Sequence, residues 1–113
     1  VTVYGIPNCD SVKKARALLA ANGVEYAFHD YKKAGVPEDL LRGWVAAKGW
    51  ETLLNRKGST WRSLDDSTKL SVLDADSAVR VMFANLSTIK RPVIVSGVAV
   101  VVGVDETAIA SLR

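Results

Sequence analysis

Cysteine is all but missing from this 113-residue chain, where Cys9 is the sole example. No internal disulfide can form, so the fold is not stapled by sulfur and a reducing cytoplasm is the expected compartment. Histidine is just as scarce: His29 has no second histidine with which to build a metal site, and none is expected. Gly35 and Gly58 stand isolated, which excludes a glycine-rich phosphate cradle. No apolar run is long enough to span a membrane, and no basic leader precedes an apolar stretch, so neither a membrane role nor export is expected. The net charge of +3 comes from lysines and arginines scattered along the chain, not massed as nucleic-acid binders mass them. Nucleic acid is therefore not an expected partner.

What is present suits one domain with a single core, at 49% hydrophobic residues. Val1 to Tyr4 reads as a short buried strand. Val12, Ala15, Leu18, Leu19 and Asn22 then recur at helical spacing, and Asn22-Gly23 is a helix stop. Tyr26 to Tyr31 alternates as a second strand, which a helical crossover makes parallel to the first. The middle is helical. Pro37 opens a helix with an apolar stripe of Leu40, Leu41, Trp44 and Val45, closed by Gly49. A segment from Trp50 to Leu54 leads into a loop, Asn55 to Arg62, and further helices cover Asp66 to Val72 and Asp76 to Leu86. Val79, Met82, Phe83 and Leu86 are the expected buried side of the latter. Trp44, Trp50 and Trp61 read as core or core-edge anchors. Two strands flanking Ser96-Gly97 form an antiparallel hairpin, and Asp105 caps a last helix carrying Ala108, Ile109 and Leu112. The sum is β-α-β, a helical insertion at about 36–88, then β-β-α: one domain over 1–113 with a four-stranded mixed sheet.

Cys9 falls where the first strand has ended and the first helix begins. There a thiol meets unpaired backbone N–H groups and the positive end of the helix dipole, both of which favour the nucleophilic thiolate. Lys13, one turn on, favours it further, while Asp10 opposes it. Ser11 either caps the helix or touches the sulfur. His29, at the end of the second strand, reads as a structural or surface residue. Arg91-Pro92 precedes the third strand, where a proline is tolerated at a strand start. Arg91 offers a planar, permanently charged fork to a carboxylate or oxyanion, or else forms a surface ion pair.

This order of elements, with a cysteine at the first helix N-terminus, resembles the thioredoxin-like fold. That resemblance implies a cis proline before the third strand, facing the thiol. Dithiol members carry Cys-x-x-Cys, but here the run is Cys9-Asp10-Ser11-Val12. A monothiol must form a mixed disulfide that an external thiol resolves. Four segments narrow the likeness: Tyr4 to Arg16, Phe28-His29-Asp30-Tyr31-Lys32, Leu53 to Arg62, and Ile89-Lys90-Arg91-Pro92-Val93. Together they resemble the arsenate-reductase-like (ArsC/Spx) family, and are most similar to its YffB-type group of glutathione-dependent thiol reductases.

The resemblance implies Cys9 as nucleophile and Arg91 with Pro92 as the holder of substrate. Asn8, Lys13, Arg56 and Lys57 would supply its rim. Glutathione is the expected co-substrate, glutaredoxin a possible partner, no cofactor is held and a monomer suffices. Two other activities fit the family: arsenate reduction coupled to glutathione and glutaredoxin, and a non-catalytic, Spx-like transcription regulatory role. Against the arsenate reductases the chain departs at Gly5, where they carry histidine, at Val12, where they carry serine, at Asn55 in place of a second arginine, and near Gly103, where a third is missing. One firm arginine holds a multiply charged oxyanion poorly.

Overall fold

The computed structural model describes residues 1–112. Their first strand, β1 (Thr2–Gly5), becomes a central member of the sheet. It is followed by the helix α1 (Asp10–Ala21) and the strand β2 (Ala27–Asp30), which lies parallel to β1. The chain returns much later as β3 (Val93–Ser96) and β4 (Ala99–Val102), ending in a short helix α8 (Glu106–Ala110). β3 is antiparallel to both β1 and β4, giving the order β2-β1-β3-β4. The mixed four-stranded sheet expected from the sequence is present.

By internal contacts the described residues fall into two units. The first joins Val1–Ala34 to the described residues from Arg91 onward. Its core begins as one cross-strand row, Phe28–Val3–Ile94–Val101, in which Val3 and Ile94 are fully buried. Ala15 and Leu19 of α1 and Ile109 of α8 join Val3, Ile94 and Val101 in one apolar cluster. The two helices also pack on each other. The α1 stripe is what the spacing predicted, with Val12, Ala15 and Leu19 all buried. The helix ends as Asn22-Gly23 implied: Gly23 N–H donates to Ala20 and Val24 N–H to Leu19, and Val24 is itself drawn into the core. Asp105 caps α8 by accepting from the Ala108 amide at 3.0 Å, also as expected.

The second unit, Gly35–Lys90, is helical apart from an isolated bridge between Leu54 and Ile89. Its helices are α3 (Glu38–Lys48), α4 (Trp50–Leu53), α5 (Ser59–Ser63), α6 (Asp66–Leu70) and α7 (Ala75–Ala84), and α2 (Tyr31–Ala34) precedes them in the first unit. α3 packs against α4 and α7, burying Leu41, Trp44, Val45, Leu53, Val79 and Met82. Asp74 and Ser77 form a reciprocal capping box at the start of α7.

Several boundaries differ from the sequence expectation, each for a local reason. Tyr31 does not extend β2. The Asp30 carboxylate accepts the Lys32 and Lys33 amides at 3.1 and 3.4 Å, which bends the chain into α2 at once. Ser96 stays paired with Ala99, so the hairpin turn is Gly97-Val98 and not Ser96-Gly97. Pro37 occupies the cap position before α3 instead of its first turn. The expected loop from Asn55 to Arg62 gives way to α5 at Ser59. Phe83 is 45% exposed, because the buried stripe of α7 runs through Ala78, Val79, Val81 and Met82 and the next residue rotates off it.

One close approach conditions the region around Cys9. Gly5 and Val12 are both buried, and a Cβ built at Gly5 would lie 2.7 Å from Val12 Cγ2. Val12 is β-branched and stiff, so it cannot swing aside. Gly5→Ala is therefore expected to cost about 1–3 kcal/mol by overpacking. Combining it with Val12→Ala should restore part of that loss, a coupling read from urea unfolding of the two single variants and the double variant. Strictly additive losses would contradict the contact.

Candidate active site

The strand pairing brings distant pieces of sequence to one end of the sheet. Gly5, the last residue of β1, pairs with Asp30, the last of β2, and Tyr4 pairs with Val93, the first of β3. The loop carrying Cys9, the turn carrying Tyr31 and the Arg91-Pro92 step therefore all leave or enter the sheet at the same level.

Cys9 is the residue before α1, with φ −94° and ψ 127°, and its side chain makes no capping hydrogen bond. Backbone bonds fix it instead: Cys9 N–H donates to the Ile6 carbonyl at 3.3 Å, and the Cys9 carbonyl accepts from the Lys13 amide at 3.0 Å. Cys9 is a free cysteine and is half-buried. Ser11 lies within the first helical turn and is not the cap. Asn8 and Lys13 are exposed beside the thiol loop. His29 sits over Tyr4 with ring centroids 4.9 Å apart, a contact across neighbouring strands consistent with a structural role.

The Arg91-Pro92 peptide is cis, as the fold resemblance implied. Pro92 is buried and Arg91 half-buried. The Pro92 carbonyl accepts from the Gly103 amide at 2.8 Å, and Gly103 has φ +78°, a conformation that strains any residue with a side chain. The stretch where arsenate reductases carry a third arginine thus contains a position suited to glycine.

From the sequence Tyr31 reads as the end of a strand and as part of the segment Phe28 to Lys32, without a role in the site. It is fully buried, its hydroxyl accepts a hydrogen bond from the Arg91 guanidinium, and it lies within the electrostatic reach of Cys9. Its hydroxyl is raised from 10.0 to about 12, chiefly by burial. The Arg91 charge and hydrogen bond pull it down, while negative charge at Cys9 and Asp30 pushes it further up. The clue in the sequence was positional: the first residue past a second parallel strand stands at the same sheet end as the thiol after the first.

Arg56 and Lys57 belong to the second unit, where with Glu51, Leu54, Asn55 and Lys90 they line a concavity. Arg56 stacks over the half-buried Trp50 at 5.0 Å. The Lys57 amide donates to the Asn55 side chain at 3.2 Å. Among the described residues no cluster of three or more His, Cys, Asp or Glu side chains could hold a metal, and no helix is long and apolar enough to cross a membrane.

The ArsC family model matches residues 4–112. A solved protein named YFFB (PA3664) is similar at 45% identity and a TM-score of 0.92, covering 98% of this chain and 96% of its own. An arsenate reductase (ArsC) related protein from Brucella melitensis is similar at 44% identity and a TM-score of 0.73, over 92% of this chain and 86% of that one. An uncharacterised protein of Haemophilus influenzae is 41% identical over 94% of this chain and 92% of its own length. The global transcriptional regulator Spx of Streptococcus pyogenes is 27% identical, over 96% of this chain and 81% of the regulator.

The buried phenol has a consequence at alkaline pH. Below pH 10 it is protonated in both the folded and the unfolded chain. Above that the unfolded chain ionises, while the folded one keeps its proton until about 12, so stability drains away as pH rises through this window. Tyr31→Phe should flatten the decline, by about 2–3 kcal/mol at the upper end relative to wild type. Urea midpoints measured from pH 9 to 12 check this, and parallel curves would contradict it.

Proposed function

Because this chain belongs to the ArsC family, we propose that it is a monothiol oxidoreductase, a glutathione-dependent thiol reductase with Cys9 as its nucleophile. The Cys9 thiolate attacks the glutathionyl sulfur of a mixed disulfide. The old S–S bond breaks, the other thiol leaves as a thiolate, and Cys9 carries the glutathione. Val12 stands where a dithiol enzyme has its second cysteine, so resolution comes from outside. A second glutathione, or glutaredoxin, attacks the adduct, leaves as the new disulfide and returns Cys9 as thiolate.

The observation that supports this most directly is the Arg91–Tyr31 hydrogen bond. It fixes a permanently charged fork, from a point 82 residues beyond Cys9 in the chain (91 − 9), at the sheet end from which the thiol loop emerges. A guanidinium there suits one carboxylate of a peptide-like thiol, and the backbone around Pro92 flanks the peptide itself. Asn8 and Lys13 add weaker contacts at the rim. One such arginine suits a carboxylate better than arsenate, whose several charges ask for several donors.

The Spx relatives favour a second reading, a protein-binding module without turnover. In that case the Cys-x-x-Cys disulfide switch is unavailable, because Val12 replaces the second thiol. Glutathione-dependent reduction of a glutathionylated peptide separates the two. Wild type should turn over and Cys9→Ser should fall to the uncatalysed rate, a loss of about 100-fold or more. Equal rates would favour the binding module. Arsenate supplied with glutathione and glutaredoxin should give no comparable turnover.

A further inference from the structure

We propose that Tyr31 is a positioning residue: its buried hydroxyl locks the Arg91 fork at the mouth of the Cys9 thiol, making Cys9 selective for partners that carry a carboxylate. This deepens the reading above, resting on a reactive Cys9 near Arg91 but not on turnover.

Three observations carry it. Tyr31 is fully buried, so its ring has one setting, whereas Arg91 is half-exposed and its long side chain is otherwise free to sweep. The hydroxyl accepts from the guanidinium. The strand register sets the ends of β1 and β2 and the start of β3 level, so the phenol is anchored to the strand beside the one that feeds Cys9. The choice of a phenol also matters. A carboxylate in its place would neutralise Arg91, but a tyrosine remains uncharged at neutral pH and orients the cation without cancelling it. Remaining guanidinium donors then face an incoming anion.

Because Cys9 is the only cysteine, alkylation reads it alone. Its thiolate displaces iodide from iodoacetate or from iodoacetamide, forming the same S–C bond, and the ratio of the two rates cancels thiol acidity and exposure. The ratio should exceed that of a small free thiol in wild type. It should fall with Arg91→Gln, and by about three- to tenfold with Tyr31→Phe, the worth of one hydrogen bond. In Tyr31→Phe, which leaves the Arg91 charge in place, the iodoacetamide rate alone should hardly move. In the Arg91→Gln background, Tyr31→Phe should have no further effect on the ratio. An unchanged ratio in Tyr31→Phe, or losses that add, would overturn the proposal. Should Tyr31→Phe fold poorly by circular dichroism, nitrogen-15 spectra of wild type decide: Arg91 Nη signals must show hindered rotation, and free rotation would overturn it. Selectivity without turnover would leave this inference standing while removing the reductase.

Discussion

Everything that makes a site in this molecule depends on the register of one four-residue strand. β1 is held parallel to β2 and antiparallel to β3, so two strands finish and a third starts at the same level of the sheet. A slip by one residue would turn Val3 from the core row to the opposite face and expel an apolar side chain that is now fully buried. It would also separate the thiol loop from the turn after β2 and from the cis Arg91-Pro92 step. Hydrophobic burial along the row Phe28–Val3–Ile94–Val101 is thus what aligns the chemistry, though none of those side chains takes part in it.

The electrostatics of the site rest on a neutral group. Tyr31 hydrogen-bonds Arg91 and lies within the electrostatic reach of Cys9, and burial favours the protonated phenol. The cation is thereby oriented with its charge kept, which a carboxylate partner would have neutralised. Gly103 contributes by what it excludes. Its positive φ and its hydrogen bond to Pro92 favour bare backbone at this position, where a side chain would be strained.

Much of the fold was legible because its signals are local. The 3.6-residue spacing of Val12, Ala15 and Leu19, the Asn22-Gly23 stop and the Asp105 cap each depend on neighbours within a turn. Boundaries were lost where a side chain rewrote the backbone, as Asp30 does by capturing two amides and ending β2 one residue early. Phe83 was misplaced for another reason: a helical stripe has a width, and Val81 took the place on its edge. In the candidate site, Cys9 was legible from its position at a helix start, and Arg91 from the proline after it. Tyr31 was not, since its role arises from a partner 60 residues away (91 − 31), and no local pattern encodes that pairing.

The close packing of Gly5 on Val12 also constrains how such a sequence can change over time. A histidine at position 5 and a valine at position 12 compete for one volume, since any Cβ at position 5 meets Val12 Cγ2 at 2.7 Å. Replacing Gly5 first passes through an overpacked protein, whereas shrinking Val12 first leaves only a small void. The route from this chain to a histidine-bearing relative is therefore one-way in its order of steps, with position 12 leading. Two differences that look independent along the sequence would be inherited as one.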